Sequence, residues 1–193
     1  NGPDAAIKLH TVFNITKQTV SHLSLAEGTT SEHGFKDTHA AVAKKGDLII
    51  RDLGFFDVED LKMLNETDRF FLSRIPLSVK TFSNENGGTV NFWEKLAGSN
   101  RFSFDEFLTV GENGILTRVV AVRLPKYKWK ERLAALRKEK GRTMTKVEKA
   151  QAKWNLLITN LSKEQASVET LTRLYALRWQ IELLFKAWKS CLG

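Results

Sequence analysis

The chain has 193 residues, 42% of them hydrophobic and 27% charged, so it is long enough to bury one sizeable core. Its net charge of +8 favours a polyanionic partner, although many soluble proteins of other function share such a charge. The single cysteine, Cys191, excludes an internal disulfide framework and a multi-cysteine metal site. No apolar run of about 18 residues predicts a membrane span and no leader pattern indicates secretion, so we expect a cytoplasmic protein.

The first part of the chain alternates strand and helix patterns. Apolar and polar residues alternate in two neighbouring segments, which predicts a hairpin. The short apolar run ending at Asp52 is typical of a strand buried on both faces. Asp57 is placed to cap a following helix. The predicted elements are a hairpin of 5–15 and 19–28, a helix at 38–45, a strand at 48–52, a helix from Asp57 and a strand at 69–75. This order predicts an α/β fold with a mixed sheet flanked by helices.

The middle of the chain has a different character. From 78 to 124, Gly-rich turns separate strand-like pieces, and Glu112-Asn113-Gly114 is a strong hairpin signal. Residues 126–153 are strongly basic and predict helix, and 154–161 predict a strand. A long final helix is expected to begin at Ser167 or Val168. We therefore expect the α/β domain to be interrupted by a β-rich insertion and a basic helical segment.

Four polar residues of the final helix lie on one line. At about 100° per residue, Tyr175, Arg178, Glu182 and Lys189 fall within an arc of roughly 60°, beside the apolar arc and not opposite to it. Charges at the margin of a core are costly unless they pair or bind something. One interpretation is a structural ion pair between Arg178 and Glu182. The other is a carboxylate for a metal ion, flanked by donors for a phosphate.

Asp52 is a second candidate. It closes an apolar strand, and in open α/β sheets ligands bind at the carboxyl ends of the strands. The alternative is an ordinary turn or N-cap aspartate. Neither interpretation is decided by this residue alone.

Together these two motifs resemble the IS4-family bacterial transposases of the DDE class. The C-terminal signature of that family is Tyr, two residues, Arg, three residues, Glu, six residues, Lys, and it matches Tyr175, Arg178, Glu182 and Lys189. The second-aspartate motif, Asp-x-Gly-aromatic, matches Asp52, Gly54 and Phe55. The resemblance implies an RNase H-like catalytic domain formed by residues 1–77 and 154–193 and divided by an insertion at 78–153.

The resemblance also implies a chemistry. Asp52 and Glu182 would be catalytic carboxylates that bind Mg²⁺, with Mn²⁺ as a substitute, for phosphodiester hydrolysis and strand transfer. Tyr175, Arg178 and Lys189 would contact DNA phosphates. The implied partners are transposon-end and target DNA and a second copy of the protein in a homodimer. A bacterial cytoplasmic, nucleoid-associated location follows from the same resemblance.

Two further DNA contacts are candidates. Some relatives stack a flipped base on a tryptophan at the position of Trp154, whereas the alternative is a core tryptophan. The basic stretch would track backbone phosphates, although a solvated charged helix is the ordinary explanation for such a run. The candidates in that stretch are Lys126, Lys128, Lys130 and Arg137.

One carboxylate of the family pattern is missing. The first Asp of the family lies on a strand before the one that carries Lys8-Leu9-His10, and Asp4 is a poor substitute for it. We therefore expect a fragment that is itself inactive. Two alternatives stay open: a DNA-binding transposase relic without catalysis, and an RNase H-like nuclease without strand transfer.

Overall fold

The structure is a computed structural model that describes residues 7–30, 35, 38, 41–112 and 114–192. The chain forms two compact units, one of residues 1–72 and 169–193 and the other of residues 73–168. Asp4 and part of the helix predicted at 38–45 lie outside the described residues. The predicted domains, 1–77, 78–153 and 154–193, have other boundaries and stay a prediction.

The first unit begins with the hairpin that the sequence predicts. Strands β1 (Ile7–Asn14) and β2 (Thr19–Glu27) pair antiparallel. The turn between them is closed by Asn14, whose side-chain oxygen accepts hydrogen bonds from the Thr16 hydroxyl at 2.8 Å and the Lys17 backbone N–H at 2.9 Å. Local polar chemistry therefore reverses the chain here.

A strand–helix–strand segment follows along the chain and belongs to the same unit up to Leu72. Its elements are β3 (Leu48–Arg51), a 3-10 turn (Leu53–Phe55), α1 (Val58–Glu66) and β4 (Phe70–Arg74). Backbone N–H groups of Gly46 and Phe70 donate to the carbonyl oxygens of Asp68 and Asp47, respectively. The residue numbers of the bonded partners rise together, from 46 with 68 to 47 with 70, so β3 and β4 run parallel.

The cap of α1 is confirmed, whereas the burial of β3 differs from the prediction. The Asp57 side chain accepts hydrogen bonds from the backbone N–H groups of Glu59 and Asp60 at 2.9 and 3.2 Å. Residues 48–50 of β3 are only half-buried. The expectation of burial on both faces is therefore wrong, and within the described part of the chain β3 is also an edge strand with a strand neighbour on one side only.

The predicted long final helix is two helices, α5 (Val168–Ala176) and α6 (Trp179–Leu192). Its predicted start at Val168 is confirmed. Between the helices, the N–H of Arg178 donates to the Tyr175 carbonyl at 3.2 Å and the N–H of Gln180 donates to the Leu177 carbonyl at 2.9 Å. These i to i−3 bonds form a tighter turn than an α-helix, so the axis is interrupted at 177–178.

The second unit holds four antiparallel strands in the order β5-β6-β7-β8. They are β5 (Phe82–Ser83), β6 (Ser103–Val110), β7 (Ile115–Arg123) and β8 (Trp154–Thr159). Val110 pairs with Ile115, which confirms the predicted hairpin, although Asn113 lies outside the described residues. Parallel β3 and β4 and antiparallel β5 to β8, with helices between them, confirm the mixed α/β class.

Three helices complete the second unit: α2 (Phe92–Ala97), α3 (Lys126–Lys140) and α4 (Lys146–Gln151). The basic stretch is thus two helices, separated at Gly141, which has the left-handed φ of 59° that ends α3. Thr145 and Glu148 form a capping box at the start of α4. Among the described residues, no helix is long and apolar enough to cross a membrane.

A buried arginine anchors the loop that leads to α5. The Arg118 guanidinium forms a two-bond pair with the Asp105 carboxylate, at 2.7 and 2.9 Å. It also donates to the carbonyl oxygens of Leu161, Ser162 and Ala166 at 3.3, 2.8 and 2.7 Å. Because this side chain is 1% exposed, its charge is satisfied entirely by protein groups, which holds the loop against β7.

Candidate functional site

Asp52 is directed toward the C-terminal helices and not toward its own turn. It occupies the N-cap position of the 3-10 turn, yet its side chain makes no capping hydrogen bond. The Tyr175 hydroxyl donates to Asp52 Oδ1 at 3.2 Å, and Asp52 Oδ2 lies 3.3 Å from Nη1 of Arg178. The structure therefore does not support the alternative of a simple capping aspartate.

Arg178 joins two carboxylates. Its Nη1 lies 2.6 Å from Oε1 of Glu182, which is the i, i+4 ion pair expected in the structural interpretation. The same nitrogen also contacts Asp52, which neither interpretation of the helix pattern includes. Because both contacts share one nitrogen, Asp52 Oδ2 and Glu182 Oε1 lie within about 6 Å of each other.

The interruption between α5 and α6 shapes this cluster. Tyr175 belongs to α5, Arg178 lies in the turn, and Glu182 belongs to the first turn of α6. The four signature residues would lie on one line only if the helix were uninterrupted. The structure brings the first three residues of that line together around Asp52, across a turn with i to i−3 hydrogen bonds.

Lys189 is the exception. It is exposed in the last turn of α6, and no ion pair joins it to an acidic side chain in the described part of the chain. Seven residues separate it from Glu182, which places it about 10 Å further along nearly the same helix face. Lys189 therefore lies on the same side of α6 as Glu182 but outside the Asp52 cluster.

The electrostatics of the cluster keep Arg178 charged. Burial disfavours the guanidinium cation, but the charge of Asp52, followed by the Glu182 hydrogen bond, outweighs burial and raises the pKa of Arg178. The guanidinium carbon lies 5.6 Å from the Trp179 ring centre and 6.0 Å from that of Tyr175, within cation–π range. The cation is thus held by two acids and two rings.

The two carboxylates have the donor chemistry of a divalent-cation site. Oxygen ligands suit hard cations such as Mg²⁺. The Asp52 and Glu182 side chains are 44% and 34% exposed, against 17% for Arg178, so both acids are accessible. No group of three or more His, Cys, Asp or Glu side chains is placed to hold a metal ion in the part of the chain that the structure describes.

A buried ion pair that the sequence did not predict lies beside Asp52 in the chain. Arg51 and Asp60 are bonded to each other with side chains 2% and 1% exposed. Arg51 also lines a cavity of about 400 Å³, together with Leu177, Arg178 and Ile181. The sequence pattern that could have predicted this pair is an arginine inside the apolar run LIIRD. It lies nine residues before an acid in the first turn of α1. This pair ties the end of β3, and hence the residue before Asp52, to α1.

Trp154 lies in the second unit and is a core residue. Its side chain is among the largest fully buried ones, and the residue is 2% exposed. Its ring packs against Phe104 at a centroid distance of 5.4 Å, and the Arg123 guanidinium lies 5.9 Å from it. A ring enclosed in this way has no free face for a base, so the structure favours the core interpretation of Trp154.

The basic helix α3 has no fully buried residue, although residues such as Trp129 and Arg132 are half-buried. Its candidate DNA contacts, all exposed, are Lys126, Lys128, Lys130 and Arg137. Arg132 has another role, because its Nη1 donates to the Trp154 carbonyl at 2.7 Å. Burial, followed by the charge of Arg74, lowers the pKa of Arg132. Exposure is compatible with phosphate binding and equally with a solvated helix.

Comparison with known proteins finds one family and a set of similar transposases. The family model described as "Transposase DDE domain" matches residues 5–193. The chain is 26% identical over 207 aligned residues to the transposase for insertion sequence element IS231F of Bacillus thuringiensis subsp. israelensis, covering 96% of this chain and 43% of that protein.

Two other transposases show similar matches. The transposase for element IS231B of Bacillus thuringiensis subsp. berliner is 27% identical, with 96% of this chain and 43% of that protein covered. The transposase for element IS1151 of Clostridium perfringens is 23% identical, with 96% and 44% covered. The chain thus spans less than half the length of these relatives. The match of the family model over residues 5–193 confirms the resemblance: this chain belongs to the transposase DDE domain family.

Proposed function

We propose that this chain is the catalytic part of a DNA transposase. The whole protein hydrolyses a phosphodiester bond at a transposon end and then joins the freed 3′-hydroxyl to target DNA. One observation carries the proposal: Asp52, Tyr175, Arg178 and Glu182 converge in one compact unit of a chain from the DDE family. Site chemistry, and not fold alone, is what links a domain to a reaction.

Asp52 and Glu182 are the proposed metal ligands. DDE domains generally use a divalent metal ion, and we propose Mg²⁺ here, with Mn²⁺ as a substitute. When bound, such ions activate the attacking oxygen and stabilise the leaving oxygen. The two side chains supply four carboxylate oxygens between β3 and α6, and their partial exposure leaves room for a phosphate to approach.

The remaining residues of the signature are proposed to position DNA. Tyr175 and Arg178 present a hydroxyl and a planar guanidinium beside the two acids, and a guanidinium can bind two phosphate oxygens at once. Lys189, about two helical turns beyond Glu182, would contact the next part of the same backbone. The exposed cations of α3 are proposed to bind backbone phosphates without reading the sequence.

The proposed partners are transposon-end and target DNA and a second copy of the protein, because two transposon ends must be held together. The action on chromosomal DNA would take place in the bacterial cytoplasm.

The test uses the whole protein and a transposon-end duplex with Mg²⁺. Asp52→Asn and Glu182→Gln keep side-chain size while removing charge, and each is expected to lower the nicking rate by about 10³-fold or more. Glu169→Gln is the matched control, because Glu169 is 73% exposed in an i, i+4 pair with Arg173. Wild-type rates for the Asp52 and Glu182 variants would overturn the proposal.

Two further measurements separate the alternatives. Joined products in a strand-transfer assay are expected, whereas nicked ends without any joining would indicate a nuclease. For the 193-residue chain alone we expect little or no nicking, since two carboxylates bind divalent ions weakly. Mg²⁺-dependent nicking by this chain would contradict that expectation.

A further inference from the structure

The Arg178 guanidinium contacts both of the proposed metal ligands, Asp52 and Glu182. Its Nη1 lies 3.3 Å from Asp52 Oδ2 and 2.6 Å from Glu182 Oε1. Each acid therefore already has a cationic partner at contact distance. Arg173, by contrast, pairs with Glu169 on the exposed face of α5.

We propose that Arg178 is an internal counter-ion that competes with the divalent cation for Asp52 and Glu182 and so sets the affinity of the site for metal. This inference rests on the proposed function, because it takes those two carboxylates as the metal ligands. It adds a role for Arg178 that is distinct from phosphate binding.

Competition follows from the shared oxygens. Asp52 Oδ2 and Glu182 Oε1 face Nη1 of Arg178, and a divalent cation held by the same oxygens brings like charge against the guanidinium. Arg178 cannot relieve that repulsion by losing its proton, because a guanidinium stays protonated in proteins. The guanidinium must therefore move away from at least one carboxylate when a cation binds.

The surroundings of Arg178 allow such a movement. Its backbone lies in the i to i−3 turn between α5 and α6, and its side chain, which lies over the Tyr175 and Trp179 rings, is partly covered but still 17% exposed. A guanidinium released from carboxylates suits a phosphate, which it can bind through two parallel hydrogen bonds. Cation binding at the acids and phosphate binding at Arg178 should therefore favour each other.

The experiment measures Mn²⁺ affinity by the electron paramagnetic resonance signal of free Mn²⁺, without any DNA or turnover. Because Arg178 pairs with both acids, Arg178→Gln is expected to bind Mn²⁺ about tenfold more tightly than the wild type. Arg178→Lys keeps the charge but not the planar fork and is expected to fall between the two. Arg173→Gln removes the same charge from an exposed pair and should leave the affinity unchanged. Equal or weaker Mn²⁺ binding by Arg178→Gln overturns the inference.

Two further measurements separate failure of the proposed metal site from failure of the counter-ion role. Asp52→Asn and Glu182→Gln should each weaken Mn²⁺ binding; if neither does, the proposed metal site fails, which is a different outcome from an unchanged Arg178→Gln. In the unsubstituted chain, a Mg²⁺ titration followed by ¹⁵N NMR should shift the Arg178 Nε–H resonance at the concentrations that saturate the site. An unmoved resonance at saturation counts against the counter-ion role.

Discussion

Tyr175 donates a hydrogen bond of 3.2 Å to the carboxylate of Asp52, a residue 123 positions earlier in the chain. This bond joins the end of β3 to the last turn of α5 within one compact unit. Because Asp52 is also paired with Arg178, two signature residues hold one carboxylate oxygen each. Contacts within the chain therefore orient the Asp52 carboxylate without help from DNA.

Tyr175→Phe removes only the hydroxyl that contacts Asp52. We expect it to lower the free energy of unfolding by about 1 kcal/mol, because the hydrogen bond to Asp52 is lost. We also expect weaker binding of a transposon-end duplex, because the proposed phosphate contact loses its donor. Urea denaturation and a duplex-binding titration measure the two effects. Tyr127 is the other tyrosine of the chain and is 60% exposed, so Tyr127→Phe is the control. Identical values for both variants would show that the Tyr175 hydroxyl has no role.

Trp154→Phe distinguishes a core tryptophan from a base-stacking one. Because Trp154 is 2% exposed, the smaller ring should leave a cavity and lower the free energy of unfolding by about 2 kcal/mol. The duplex affinity of the folded variant should equal that of the wild type. Trp179→Phe, at a 55% exposed position, should change the stability by less than about 0.5 kcal/mol. A selective loss of end binding without loss of stability would restore the base-stacking role.

The exposed cations of α3 can be tested through the salt dependence of DNA binding. Replacing Lys126, Lys128, Lys130 and Arg137 by Gln should reduce the slope of log affinity against log salt by about 3.6, which corresponds to one duplex phosphate for each side chain. The control removes the same charge from four exposed lysines elsewhere: Lys17, Lys44, Lys45 and Lys80. If both sets change the slope equally, α3 is only a solvated charged helix.

Glu148 gives the second unit a predictable response to acid. Hydrogen bonds from Arg142, Lys140 and the Thr145 backbone N–H hold the pKa of Glu148 well below its usual value of 4.5. A carboxyl whose pKa is depressed by folding stabilises the protein above its unfolded pKa, and this contribution is lost as the pH falls through the folded pKa. The wild type should therefore exceed Glu148→Gln in urea midpoint above about pH 4.5, and the difference should shrink below it. A difference that is constant from pH 7 to 3 would contradict this assignment.

Elements governed by local chemistry were predictable from sequence. The first hairpin, the Asp57 cap and the 112–114 hairpin each depend on short segments of adjacent residues, and all three agree with the structure. The half-burial of β3 was not predictable, because it depends on which distant segments pack over the strand. Likewise, the periodicity of the final segment stays helical on both sides of 177–178, so the pattern does not reveal the interruption between α5 and α6.

The sequence by itself determined the family, the mixed α/β class and the residue types of the candidate site, because short motifs and periodic patterns carry that information. Only the tertiary structure decided that Arg178 contacts Asp52 as well as Glu182, that Arg51 is buried against Asp60, and that Trp154 is enclosed. These are contacts and burial, which depend on how distant segments pack, and no spacing within a single segment specifies them.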